Sequence, residues 1–248
     1  AGAWMDDYAG LSSRASTIPT AFVVGNFNKA VEGETYYEID EVVTLFHEFG
    51  HALHHIMTVC EYPSVAGISG VPWDGVELPS QYMENYVYEK SIFKSMTEHR
   101  NTKESIPDSL YKKVIESKNF QSGMGLVRQC SFSLWDMETH MTSDDTYDVL
   151  AKIDEKTSLM DKVPENRFLN SFLHIFAGGY DAGYYSYKWA EVMSADAYSY
   201  INGDKQKSDD FRSMILEVGG SLDFFDQYKK FRGQEPDLKA VLKLNGIN

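Results

Sequence analysis

The 248-residue sequence predicts a mainly helical fold with one small β element. Three observations carry that prediction. Apolar side chains recur at helical spacing in most segments. One stretch, residues 20–27 (TAFVVGNF), combines β-branched and aromatic residues as a strand does. Apolar residues make up 43% of the chain, with 14% aromatics, which suffices to bury the core of one domain or two small ones.

Residues 1–17 carry Trp4, Asp6 and Asp7 and then a polar stretch, 12–17, that reads as loop. In the strand candidate, Gly25 and Asn26 mark a bulge or bend. Residues 29–36 read as a connecting loop. The next segment, residues 40–57, contains TLFHEFGHALHH. In a helix His47 and His51 stand one turn apart on one face, so both imidazoles reach a single metal ion, while Glu48 sits beside the first where it can hold the metal's water. This is the HExxH zinc-hydrolase signature. Val42, Leu45, Phe46, Phe49, Leu53, Ile56 and Met57 follow helical spacing and are expected to bury one face, leaving the histidine face to line a cavity. Asp40 and Glu41 suit the positive end of the helix dipole. Gly50 lowers helix propensity and lets another backbone approach closely.

Pro63, Pro72 and three glycines exclude a continuous helix over residues 61–75, where 64–68 is a second strand candidate. Residues 76–93 read as one helix with Pro79 in its first turn. Helical spacing lines up Glu77, Gln81, Glu84 and Tyr88 on one stripe. By spacing alone a solvated face explains such a stripe equally well. A site with two histidines does need a third ligand, and a carboxylate from a following helix is a common solution. Further helices are expected near 108–117, 124–141 and 146–156, none of them advertising chemistry. His99 and His140 read as surface or satisfied core histidines.

Residues 170–195 hold His174, then Ala177, Gly178 and Gly179, then a helix carrying Tyr180, Tyr184, Tyr185 and Tyr187. For Tyr185 and Trp189 we expect core packing. A glycine loop beside phenol donors is also what a site needs to bind a peptide backbone and stabilise an oxyanion. The tail from residue 208 gives three short amphipathic helices, separated at 219–221 and 233–236, with 205–210 a solvated turn before them.

The formal charge of −14 argues against nucleic acid and anionic membrane as partners, because nothing neutralises phosphates in bulk. Cys60 and Cys130 form neither a metal-ligand spacing nor a disulfide framework, and read as buried fillers in a reducing compartment. No apolar run reaches the roughly 18 residues of a membrane span and no signal-peptide pattern opens the chain, so cytoplasmic residence is expected. The start, Ala1-Gly2-Ala3-Trp4, enters directly into structured-looking sequence without an initiator Met, as a fragment of a longer protein would.

Several separated stretches together resemble the thimet oligopeptidase family of zinc metallopeptidases. They are GAWMDD from Gly2, FHEFGHALHH from Phe46, SVAGISGVPWDGVELPSQYMEN from Ser64, HIFAGGYDAGYYSY from His174 and FRGQEPDL from Phe231. The resemblance spans the whole chain. It implies a multi-helical zincin-type catalytic domain over residues 1–248, the C-terminal part of a larger neurolysin-like fold. It also implies one zinc ion per chain, held by His47, His51 and Glu77, with Glu48 as general base and Glu84 orienting a ligand imidazole. To the glycine loop and tyrosine helix it assigns substrate binding and transition-state stabilisation, which fall on Gly178, Gly179, Tyr180, Tyr184, Tyr187 and His174, with Tyr187 and His174 the catalytic donors. The expected reaction is hydrolysis of short peptides. Two departures stand out. The family's N-terminal helical region, one wall of a deep channel, has no counterpart here, and Glu38 and Ile39 replace the usual threonine cap of the metal helix.

Two other readings compete. A dipeptidyl carboxypeptidase of the same family differs in the segment where this chain has SGVPWDGVELPSQ. A zinc-binding fragment inactive without its N-terminal region has the metal site but no channel wall. A purely structural zinc site has no use for Glu48 and prefers four protein ligands.

Overall fold

In a computed structural model, which describes residues 2–29, 33, 35–160, 163 and 165–247, the segment Ile39–Ile56 forms the helix α1 that organises the fold. Its cap comes from Glu41: Oε2 accepts the Glu38 N–H at 2.8 Å and Oε1 accepts the Asn28 N–H at 2.9 Å. The first bond is the Glu41 half of a capping box whose other half is the Glu38 side chain, standing where a threonine cap is expected; the second ties in the preceding segment, and both hold the Glu41 pKa below the usual carboxylate value. Part of the connecting loop 29–36 lies outside the described residues.

The buried face of α1 is not the one its apolar spacing suggests. Leu45, Phe49, Ile56 and Met57 are exposed, whereas Glu48, Gly50, His51, Ala52, His54 and His55 are buried. The cause is a close crossing with α3, Leu78–Val87, which packs on the histidine face. A Cβ on Gly50 would sit 2.6 Å from the Pro79 carbonyl oxygen and 2.6 Å from Ser80 Cα, so only glycine permits this approach.

A two-stranded antiparallel sheet, β1 (Trp4–Ala9) and β2 (Thr20–Val24), lies against α1 with Met5 opposite Val23. Sequence pattern does not reveal β1, because Asp6 and Asp7 are poor strand formers. The expected strand 20–27 stops at Val24, where Gly25 is crowded by the Phe27 ring. His55 Nε2 donates to the Ala9 carbonyl at 2.9 Å and ties the sheet to the helix.

Residues 64–68 are not a strand. Pro63–Val65 form a 3-10 turn, and Gly67 (φ +61°) and Gly70 (φ +74°) take left-handed conformations that no strand admits. The expected helix 76–93 is broken twice. A short helix α2 (Trp73–Val76) precedes Glu77, α3 follows with Pro79 in its first turn, and Glu89 (φ −69°, ψ 129°) is extended before α4, Lys90–Met96. Three helices near the expected bounds come next, α5 (Asp108–Lys118), α6 (Ser122–Met141) and α7 (Thr146–Thr157). After the one-turn α8 (Leu173–Phe176) runs α9, Ser186–Ile201.

The tail contains α10 (Lys205–Phe211), α11 (Phe224–Arg232) and α12 (Leu238–Leu244). Residues 205–210 are therefore helical rather than a turn. Asp204 starts that helix by accepting the Lys207 N–H at 3.1 Å.

Two apolar clusters support these elements. One joins α3, α9 and the tail through Leu78, Tyr82, Met193, Phe211, Tyr228 and Phe231. The other joins α6, α7 and the 168–176 segment through Trp135, Val149, Ile153, Leu169, Phe172 and Ile175. Trp189 is not core: it is exposed, with its ring 6.1 Å from that of Phe225. Cys130 is exposed and Cys60 half-buried, so neither is a buried filler. Among the described residues no helix is long and apolar enough to cross a membrane.

Candidate metal centre and active site

Glu77 occupies the joint between α2 and α3, and the crossing at Gly50 brings it under α1. Its Oε2 lies 3.3 Å from His47 Nε2 and 3.2 Å from His51 Nε2. Among the described residues these three form the one group of side chains with metal-ligating geometry, their donor atoms all within 4.8 Å of one another. Two imidazole nitrogens and a carboxylate oxygen are a zinc donor set. With metal–ligand bonds of ~2.1 Å, two donors of a tetrahedral ion stand about 3.4 Å apart, close to the 3.3 and 3.2 Å that separate Glu77 Oε2 from the two histidine nitrogens.

The surroundings hold each ligand in place. His47 Nδ1 is 2.6 Å from Glu84 Oε1, further along the helical stripe of Glu77, which leaves Nε2 turned to the cluster. Ser80 Oγ donates to Glu77 Oε2 at 3.0 Å. The Tyr180 hydroxyl donates to Glu77 Oε1. His51 is buried, and its Nδ1 has no protein partner.

The electrostatics match a site built for a cation. Burial opposes charge on His47, yet hydrogen bonds and charge from Glu77 and Glu84 outweigh it and raise its pKa to about 10. Burial likewise opposes charge on Glu77, but the two histidines hold its carboxyl well below the usual range. Glu48 is buried, which pushes its pKa up; the neighbouring histidines and the Met5 backbone N–H pull the other way.

The residues that follow His174 form the opposite side. Gly178 is obligatory, since a Cβ there would lie 2.5 Å from the His174 carbonyl oxygen, and Gly179 takes φ +81°. The chain then returns so that the Tyr180 and Tyr187 rings stack 4.9 Å apart at 21°. His174 Nε2 is 3.1 Å from the Tyr187 hydroxyl. Burial and the Glu77 charge raise the phenol pKa of both tyrosines, so they remain protonated donors. The Tyr184 hydroxyl is engaged with Gln129 Oε1 at 3.0 Å, and its ring packs on Phe172. Tyr185 is half-buried rather than core, and donates to Asp74 Oδ1 at 2.5 Å, which pushes its phenol up to about 12.

Three further residues touch these groups or the segments that carry them. The Trp73 ring lies 4.4 Å from that of Tyr180. Gln81 Nε2 donates to the Tyr187 carbonyl at 2.9 Å, linking the helix after Glu77 to α9; of the four tyrosines expected on that helix only Tyr187 lies in it, and Tyr180, Tyr184 and Tyr185 precede it in a turn. Asp136 accepts from the loop between Tyr180 and Tyr187. Of these, helical spacing singles out Gln81 alone, on the stripe of Glu77 and Glu84; Trp73 and Asp136 carry no readable signal in the sequence. His99 and His140 lie elsewhere with partners of their own, Thr102 and Asp136.

Fold and cluster together define a zincin-type helical scaffold with a two-histidine, one-carboxylate cradle. The family model for Peptidase family M3 matches residues 1–247. The chain belongs to Peptidase family M3. It is 43% identical to oligopeptidase A of Escherichia coli, over 99% of this chain and 38% of that protein. It is 31% identical to dipeptidyl carboxypeptidase of Salmonella typhimurium, over 100% of this chain and 38% of that protein. The chain thus spans well under half the length of the curated relatives it matches. A solved candidate oligoendopeptidase F from Bacillus anthracis superposes with TM-score 0.58 at 15% identity, over 99% of this chain and 37% of that one, a likeness of fold alone.

Proposed function

We propose that residues 1–248 are the C-terminal catalytic portion of a zinc-dependent endopeptidase acting on short peptides. The observation that carries the reading is the convergence of His47 and His51 Nε2 on Glu77 Oε2, 3.3 and 3.2 Å away, with Glu48 on the same helix. His47, His51 and Glu77 would hold one zinc ion. When bound, zinc supplies a Lewis acid that acidifies a water and polarises the scissile carbonyl.

The chain's own groups do the rest. Glu48 accepts the proton of the attacking water and passes it to the leaving amine. Tyr187, with His174 beside its hydroxyl, donates to the developing oxyanion, a contribution of roughly 3 to 4 kcal/mol per donor in comparable sites. Gly178 and Gly179 leave backbone open to an extended substrate. Tyr180 holds Glu77 and, with Tyr184, shapes the side of the site on which the peptide lies. Glu84 orients His47. The partners are short peptides in the cytoplasm, and the −14 charge disfavours nucleic acid.

The test is to incubate the chain, zinc-loaded or chelator-treated, with peptides of about ten residues and identify the products by mass spectrometry. Chelator-sensitive internal cuts support the reading. Stepwise release of C-terminal dipeptides replaces it with a dipeptidyl carboxypeptidase. Zinc binding without any cleavage replaces it with a metal-binding fragment that needs its N-terminal region.

A further inference from the structure

We propose that Asp136, on α6 and outside the metal cradle, is a positioning residue that clamps the tyrosine loop in its working conformation. Its carboxylate is completely buried and acts as a fork. Oδ1 accepts the N–H of Ala182 at 3.0 Å, and Oδ2 accepts the N–H of Tyr184 at 2.9 Å. His140 Nδ1, one turn along α6, lies 3.0 Å from Oδ1 and 2.8 Å from the Asp136 carbonyl oxygen. A buried carboxylate persists only where its lone pairs are satisfied, and here backbone amides of a single loop supply the fork's two main bonds.

The clamped segment bends in a way it does not favour unaided. Ala182 has φ +55°, a left-handed conformation uncommon for a residue with a Cβ unless its surroundings hold it. Tyr180 lies two residues before the clamp. Tyr187 lies three residues after it, in the first turn of α9. Both phenols next to the cradle therefore hang from the same fork. The fork in turn is mounted beside Trp135, which is fully buried in the second apolar cluster and stacks on Phe172. The clamp thus transmits the rigidity of that cluster to the hydroxyl of Tyr187, which needs placement within a fraction of an ångström to meet an oxyanion. An amide cannot substitute, because one arm of the fork would present N–H to N–H.

The catalytic consequence rests on the proposed peptidase reading; the clamp itself does not. The experiment compares the wild-type chain with Asp136→Asn by backbone hydrogen exchange and by peptide turnover. In Asp136→Asn the amides of Ala182 and Tyr184 are expected to exchange at least about tenfold faster while those of α1 and α3 keep their protection. The turnover number is expected to fall about ten- to hundredfold. Adding Asp136→Asn to the Tyr180→Phe/Tyr187→Phe double variant should cost little more than that double variant alone, since the clamp acts through these two hydroxyls. Unchanged protection of Ala182 and Tyr184, or losses that multiply in the triple variant, overturns the proposal. If Asp136→Asn does not fold, exchange in the wild type decides: amides of Ala182 and Tyr184 as slow as those of α9 support the clamp, and unprotected amides refute it. A wild type that cleaves no peptide overturns the peptidase reading and leaves the exchange result to judge the clamp.

Discussion

The hydroxyl of Tyr180 donates to Oε1 of Glu77, and Oε2 of the same carboxylate is left turned toward Nε2 of both His47 and His51. One phenol from the glycine-loop side thus fixes the rotation of a carboxylate on the other side. Partners of this kind orient metal ligands and tune their affinity.

Tyr180→Phe should therefore weaken zinc binding about 10- to 100-fold while the helical content stays the same. Competition against a chromophoric chelator measures it. Zinc affinity equal to wild type would show that Ser80 alone orients the carboxylate.

Gly50→Ala tests the crossing that brings Glu77 under α1. Alanine favours the helix by about 1 kcal/mol. Against that, its Cβ would meet backbone atoms of Pro79 and Ser80 at 2.6 Å, and backbone cannot move aside cheaply. Overpacking wins, and we expect a net loss of about 1 to 3 kcal/mol in urea unfolding, with weaker zinc binding. A variant as stable as wild type would mean the crossing can widen without cost.

His54 gives the fold a pH dependence. It is buried, and burial together with the like charges of His51 and His55 pushes its pKa down to about 3. In the unfolded chain a histidine titrates near ~6.5. Between these values the unfolded state binds the extra proton, so stability falls as pH falls, by up to about 1.4 kcal/mol per pH unit, and nothing is lost above pH ~6.5. Urea midpoints of the chelator-treated chain at pH 7 and pH 5 should show this, and His54→Gln should flatten the slope by one proton. Equal slopes in both proteins would assign the acid sensitivity elsewhere.

The legible parts of this chain are those with local causes. Helices near 108–118, 122–141 and 146–157 follow from periodicity and turn residues. The HExxH spacing sets the relation of His47, Glu48 and His51 by helix geometry alone.

What lies beyond the sequence depends on contacts between distant segments. The apolar spacing of α1 points to the wrong buried face, because the approach of Pro79 and Ser80 over Gly50 decides which side is covered. The break at Glu89 and the strand at Trp4–Ala9 carry no strong local signal. Asp136 looks like any other acidic residue of a helix until residues 182–184 are folded onto it.

If Glu48 is the base of a metal site held by other residues, Glu48→Gln separates zinc binding from turnover. Zinc content and peptide turnover are measured on the same preparation. Glu48→Gln is expected to bind one zinc per chain, as is the wild type, with turnover lowered about 10²- to 10⁴-fold. Turnover near the wild-type rate in a zinc-loaded Glu48→Gln chain would contradict that role for Glu48.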